Sequence, residues 1–453
     1  MSFFKILVIS AAGLAVVGVV TVLTVGYVNS PARPEAEKAP TPASAVAPTL
    51  SAAEVKAAYD ECVQKAFPTT ADAAQRSAAC SKALGSRQLQ PTEVAMARLT
   101  RGVARTMLGD KVLASEDYLD AIRHYDQLIN AANPDALNLF RRAAALDAVG
   151  QTDKALTDYS DAIKLDPNAS LAFLNRGVLL ATRKRAYDRA IQDFDRVLVL
   201  EPDNVDALIR RGDAFVQLGD FGRGMSDLDR AVSMAPENPL AYLMRGLAYG
   251  RRGNAIAALQ NYDAALKYDP RNADALSNRA AVYLGQGRLD LAIRDLDLSI
   301  SIDRTNPLAF YNRGYAHFAK KEYDKAISDY SSAVALNPQL GLAYNNRGLT
   351  RAIAGQDLVQ ALADCDTALK LMPINLDVRD TRGFIYLKLG DPALALNEYN
   401  AALDIDPNRA LSLYGRGLAK IKNGDVAGGE ADQRAAETIN PEVAQQFSMY
   451  GLN

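Results

Sequence analysis

The phrases LAFLNRG (171–177), LAFYNRG (308–314) and LAYNNRG (342–348) are near-copies of one another, and their last residue sets a register for most of the chain. Aligned on it, Ala143, Gly177, Gly212, Gly246, Ala280, Gly314, Gly348, Gly383 and Gly417 follow one another at intervals of 34 or 35 residues. About twelve residues after each comes a second small residue: Ala155, Ala190, Gly224, Ala258, Ala292, Ala326, Ala361, Ala395 and Gly429. A further step of about twelve reaches Pro167, Pro202, Pro236, Pro270, Pro338, Pro373, Pro407 and Pro441, with Arg304 in the slot once. One supersecondary unit is being repeated in series.

Within each unit, apolar positions recur at helical spacing in two blocks, which predicts two amphipathic helices. The paired small residues let those helices approach closely. Seven residues after the first small residue stands Gly150, Gly219, Gly253, Gly287, Gly355, Gly390 or Gly424, where a helix end takes the left-handed conformation that glycine adopts cheaply. Lys184 and Lys321 are the exceptions, and their turns are expected to differ. The proline then ends the second helix.

This pattern resembles the tetratricopeptide repeat, whose period is 34 residues. The match covers nine units over residues 136–443. A tenth is read upstream, at 93–135, from Thr100-Arg101-Gly102 and Gly109 in a first helix and Ala121 and Tyr125 in a second, with about seven extra residues between them around 110–118. Residues 441–450 (PEVAQQFSMY) read as a solvent-facing capping helix, its end at 444–453, with Phe447 and Tyr450 covering the last repeat. The expected fold is therefore an all-α, right-handed superhelical solenoid of about ten helix-turn-helix repeats, preceded by an N-terminal membrane span.

The residue before the first small one is arginine in every unit: Arg142, Arg176, Arg211, Arg245, Arg279, Arg313, Arg347, Arg382 and Arg416. An acid follows each after about sixteen residues, at Asp158, Asp193, Asp227, Asp295, Asp329, Asp364, Glu398 and Asp432; Asn261 is the single substitute. The matched periodicity predicts an arginine–carboxylate pair bracing each unit, within it or across to its neighbour. Cys365 fills a slot where another unit carries Tyr330 and reads as core. His124 reads as occupying the slot of the paired acid, and His317 a first-helix aromatic slot, so both are structural.

The resemblance implies that first helices line a concave binding face. On it lie Asn175, Asn278, Asn312 and Asn346, and asparagine offers both a donor and an acceptor to a peptide unit. Beside them Tyr311, Tyr315 and Phe318, within one helix, are expected to be exposed and to form an interaction surface, with Phe384 in the same apolar row. These eight residues make up the candidate groove for an extended segment of a partner protein. The lysine and arginine set with which the family clamps a C-terminal carboxylate is missing.

Ahead of the repeats, residues 6–28 (ILVISAAGLAVVGVVTVLTVGYV) carry no charge and are long enough to cross a bilayer. A cleaved signal peptide is the competing reading, against which the stretch is long and Pro31 follows its exit. Residues 29–50 hold five prolines and read as a semi-rigid linker. Residues 51–92 read as a capping helical hairpin, in which Cys62 and Cys80 face each other across a turn at Phe67-Pro68-Thr69. A disulfide there requires an oxidising compartment; two buried thiols are the alternative.

Composition narrows the function. With 51 basic against 53 acidic residues, the chain lacks the basic footprint of a nucleic-acid binder. Two histidines and three cysteines leave too few ligands for a zinc cluster, and no glycine-rich phosphate loop follows a strand, so no metal, cofactor or enzymatic activity is expected. The length alone suggests about three domains, an estimate that the period replaces. The expected protein is a non-catalytic scaffold at the cell envelope, anchored in a bacterial inner membrane through residues 6–28 with its repeats in the periplasm. A cytoplasm-facing receptor for chaperones or precursors, and a secretion factor for an envelope polymer at the outer membrane, are the alternatives.

Overall fold

First helices begin on side-chain caps. Asn204 Oδ1 accepts from the Ala207 amide at 2.9 Å, and Asn272 Oδ1 accepts from the Ala275 amide at 2.9 Å, which satisfies donors that a helix start leaves without partners. Pro239 and Pro307 stand just inside two other starts, where no amide hydrogen is required. The helices stop where the chain turns left-handed, as at Gly219 (φ 85°). Lys321 makes the same turn at φ 62° without glycine. After Thr182 the turn is one residue longer, and Arg185 (φ 51°) rather than Lys184 takes the left-handed position.

The computed structural model describes residues 50–64, 70–130 and 135–452, and these form twenty-three helices and no strand. They group into two compact units that divide after Pro270. In the first, twelve helices from Ala52–Val63 to Ala255–Tyr268 make six hairpins, each helix packing on the next. In the second, ten helices from Ala273–Gly285 to Val426–Ile439 make five hairpins, followed by the short helix Val443–Met449. No helix among the described residues is long and apolar enough to cross a membrane. The apolar stretch 6–28 and residues 29–49 lie outside the described residues, as does the turn 65–69.

The small residues earn their place by contact with an aromatic ring. A Cβ added to Gly177 would lie 2.6 Å from the Phe194 ring, and one on Gly314 would lie 2.9 Å from Tyr330. Both rings are fully buried. Cys365 occupies the equivalent core position and is also fully buried.

The upstream repeat corrects one expectation. Helix Pro91–Met107 is followed by a three-residue turn at Gly109 (φ 82°) and then by Lys111–Asn130, so no insertion separates the pair. The extra length lies at the far end of a 20-residue second helix. Ala114 and Tyr118, not Ala121 and Tyr125, hold the repeat slots, because a Cβ on Gly102 would meet the Tyr118 ring at 2.8 Å. Asp117 is the paired acid, so His124 does not occupy that slot.

The arginine pairs brace both within and between repeats. Arg211 Nε and Nη2 donate to Asp227 at 2.7 and 2.8 Å, while its Nη1 reaches Asp195 of the preceding repeat at 2.7 Å. Arg313 does the same with Asp329 (2.9 and 2.7 Å) and Asp297 (2.7 Å). Arg101 joins the series upstream, with Asp117 at 2.9 and 2.7 Å and Ser81 at 3.1 Å. Arg245 meets the substitute Asn261 at 2.8 Å, and Asn261 turns its amide to the Ala257 carbonyl oxygen. The inner acids are nearly buried and the arginines about a fifth exposed.

Candidate functional site

The second unit presents a first-helix face built by Pro307–Ala319, Gly341–Ala354, Leu376–Leu389 and Ala410–Lys422. Seven of the eight groove residues lie in this unit; Asn175 belongs to the first. None is exposed, which corrects the expectation of an open aromatic strip. Tyr311 and Phe384 are fully buried, and Tyr315 and Phe318 are each 8% exposed. The reason is geometric. Successive first helices touch one another, so the aromatic row falls into the seam between them.

Within that seam the Tyr311 and Tyr330 rings lie 5.7 Å apart, and Phe318 lies 5.7 Å from Tyr323. Asn346 Nδ2 donates to Tyr311 Oη at 2.9 Å, and Asn278 Nδ2 to the Asp274 carbonyl oxygen at 2.8 Å. Two asparagines therefore serve the fold. Asn312 is different: it is fully buried, and neither its Nδ2 nor its Oδ1 has a hydrogen-bond partner among the described residues. Asn345 Oδ1 and, in the first unit, Asn175 Nδ2 are likewise buried and unpartnered. Buried polar atoms without partners are uncommon and call for an explanation.

The short helix Val443–Met449 lies on this face as well. The sequence reads as a solvent-facing cap whose Phe447 and Tyr450 cover the last repeat. Phe447 does pack on Tyr414 of the last repeat, with ring centroids 5.0 Å apart, but it also meets Phe384 of the repeat before at 6.3 Å. Tyr450 meets Phe384 at 6.2 Å and joins the cluster of Tyr311 and Phe318, farther back again. Burial raises the Tyr450 hydroxyl above its ordinary range, and the neighbouring Tyr323 and Tyr315 raise it further.

An acidic network missed in the sequence reading borders the same face. Asp380 is fully buried, and burial pushes its carboxyl up to about 6 against the pull of Arg409. Arg409 donates to Asp380 Oδ2 and Asp377 Oδ1, each at 2.6 Å, and Ser412 Oγ donates to Asp380 Oδ1 at 2.5 Å. The available signal was an acid standing in a row that is apolar or aromatic in most repeats. Among the described residues no three His, Cys, Asp or Glu side chains are gathered to hold a metal. His317 Nδ1 lies 2.7 Å from Glu322 Oε2. In the first unit Cys62 and Cys80 are joined in a disulfide, and both are fully buried.

Models of the tetratricopeptide repeat match residues 140–205, 179–249, 243–307, 307–340 and 377–409, together about half of the chain. The chain belongs to the tetratricopeptide repeat family. It is 33% identical over 97 residues to small glutamine-rich tetratricopeptide repeat-containing protein 2 of Mycosarcoma maydis, covering 21% of this chain and 27% of that protein. It is 29% identical over 105 residues to the Hsp70-Hsp90 organizing protein of Triticum aestivum, covering 23% of this chain and 18% of that one. The chain thus spans about a quarter or less of the length of these relatives. Among solved structures, the hetero-tetramer Cut9-Hcn1 matches with a TM-score of 0.50 at 16% identity, over 84% of this chain and 83% of the other. That likeness supports the helical-repeat fold alone.

Proposed function

We propose that this protein is a non-catalytic scaffold that holds a segment of a partner protein against the first-helix face of its second unit. The observation that carries the reading is Asn312 on the first helix Pro307–Ala319, fully buried with neither its amide donor nor its acceptor partnered among the described residues. One peptide unit satisfies both. Tyr315 and Phe318 at the edge of the seam supply apolar contact. The relatives' names are consistent with a role in organising other proteins, although the clamp for a terminal carboxylate is missing here.

The proposed setting is the periplasmic side of a bacterial inner membrane, with residues 6–28 as the anchor. The Cys62–Cys80 disulfide supports an oxidising compartment. A cytoplasm-facing receptor is the rival, and a topology reporter fused after Asn453 separates the two. The binding role is tested by site-specific photocrosslinking in intact cells from the edge of the seam. A partner crosslinked by the wild type and lost from Asn312→Ala/Tyr315→Ala, with native-state amide exchange in the helices Pro307–Ala319 and Tyr323–Leu336 retained, supports the reading. Equal crosslinking by both proteins refutes it.

A further inference from the structure

Residues 443–452 (VAQQFSMYGL) contain no charge, and the helix they form is seven residues long. Two turns of helix do not persist alone in water, so the segment is held by what it packs on. A segment that only closed the stack would need the last hairpin and nothing more. This one turns its two aromatic residues, three apart on one helical face, back along the unit. Phe447 is 1% exposed between Tyr414 and Phe384, and Tyr450 carries the contact on to the Tyr311–Phe318 cluster. Leu452 is buried, and Gly451 passes so close to Lys388 that an added Cβ would lie 3.0 Å from its Nζ. In its manner of contact the segment behaves as a bound peptide that happens to be covalently attached.

The fit is incomplete in its polar half. Gln446 Oε1 is buried without a partner, as are both amide atoms of Asn312 and Asn345 Oδ1. The apolar contacts of the segment are extensive, while hydrogen-bonding capacity stays unused both in the segment, at Gln446, and in the unit it packs on, at Asn312 and Asn345. A better occupant would keep the aromatic pair and satisfy the amides. We infer that residues 443–452 are a resident occupant of the protein's own binding face, displaced by an uncharged partner segment with two aromatic residues three positions apart. The inference rests on the reading of that face as a binding surface, and it names the kind of segment the face accepts. It also explains why the face is closed in the isolated chain.

A tethered segment acts at an effective concentration near millimolar, so a free peptide of equal intrinsic affinity competes poorly with it. The probe is a fluorescein-labelled peptide of residues 440–452, acetylated and amidated, followed by anisotropy on the full chain. Phe447→Ala/Tyr450→Ala should loosen the resident segment and bind the probe about 100-fold more tightly than the wild type does. A probe lacking both aromatic residues should bind neither protein. Equal affinity for wild type and variant, or no binding to a variant whose circular dichroism is unchanged, overturns the inference.

A second measurement needs no variant. A large excess of unlabelled peptide should accelerate amide exchange of residues 443–452 in the wild type, and unchanged exchange there overturns the inference. So does light scattering that shows a dimer built by exchange of this segment between copies. Probe binding by the opened variant, with cellular crosslinking indifferent to Asn312 and Tyr315, retains the resident segment and discards the partner reading. The reverse pair of results does the opposite.

Discussion

Replacing Arg211 with leucine leaves the Asp227 carboxylate, 8% exposed, without the two charge-assisted hydrogen bonds it accepts at 2.7 and 2.8 Å. Breaking a fully buried pair in this way costs about 3–5 kcal/mol, because an uncompensated charge remains inside. Arg211 is about a fifth exposed, so water shields part of that loss and about 2–3 kcal/mol is expected. Its third bond, to half-exposed Asp195, adds at most about 0.5 kcal/mol. Asp227→Asn should cost less, about 1 kcal/mol, since Arg245 and Asn261 already show that an amide can take the arginine in this position. Arg211→Leu/Asp227→Leu should recover most of the loss, because no buried charge is left behind.

Repeat arrays unfold in pieces, so a single midpoint does not report on one hairpin. Native-state amide exchange in the helices Val205–Gln217 and Phe221–Met234 does. The reasoning fails if Arg211→Leu leaves protection there unchanged. It also fails if the double variant is less protected than either single one, since the cost would then lie in packing and not in charge.

Other perturbations have signs that follow as directly. Burial holds the Asp147 carboxyl up to about 6 against Arg183, above an unfolded value of about 3.9, so the folded state keeps its proton longer. Stability should therefore fall as pH rises from about 4 to about 6, and Asp147→Asn should remove that slope and gain about 2 kcal/mol at pH 7, read by exchange in helix Ala136–Ala148. Reduction of Cys62–Cys80, which closes a separation of 18 residues, should cost the hairpin 52–85 about 3 kcal/mol and open it to proteolysis before the repeats. Lys321→Gly relieves a left-handed lysine and should raise stability by about 0.5–1 kcal/mol, net of glycine's greater freedom when unfolded, in urea titrations followed by exchange. Cys365, whose thiol burial pushes far up, should resist alkylation in the native protein and react once urea is added.

The repeat could be read from the sequence because each of its slots is filled by a steric requirement. Gly177 has to clear Phe194 and Gly314 has to clear Tyr330, and the slot admits nothing larger than the alanine found at positions 143 and 280. The first repeat was misread for a reason equally physical. Ala114 and Ala121, like Tyr118 and Tyr125, are seven residues apart, close to two helical turns, so both sets lie on one face of Lys111–Asn130. The contact of Tyr118 with Gly102 and the pairing of Asp117 with Arg101 tell them apart. The aromatic residues of the candidate groove were located on the correct helices but given the wrong exposure. Periodicity says which side of a helix a residue occupies; whether that side is covered depends on the next repeat and on residues 443–452, more than a hundred positions away from Tyr311.

The links that the arginines make to preceding repeats are not all of one strength. Arg211, Arg313 and Arg382 reach back to an aspartate, whereas Arg176 and Arg347 reach back to Ser160 and Ser331, and Arg416 to Asn400. A neutral partner holds a guanidinium less firmly than a carboxylate does. In the second unit the joints thus alternate between tight and slack, whereas in the first Arg211 and Arg245, which reaches Asp229, make two tight joints in succession. Pulled from its ends, a unit should part first at the serine and asparagine joints, releasing short blocks of hairpins in a fixed order. The array is graded as a mechanical element, and its weakest joints are written in which residue stands two positions after each bracing acid.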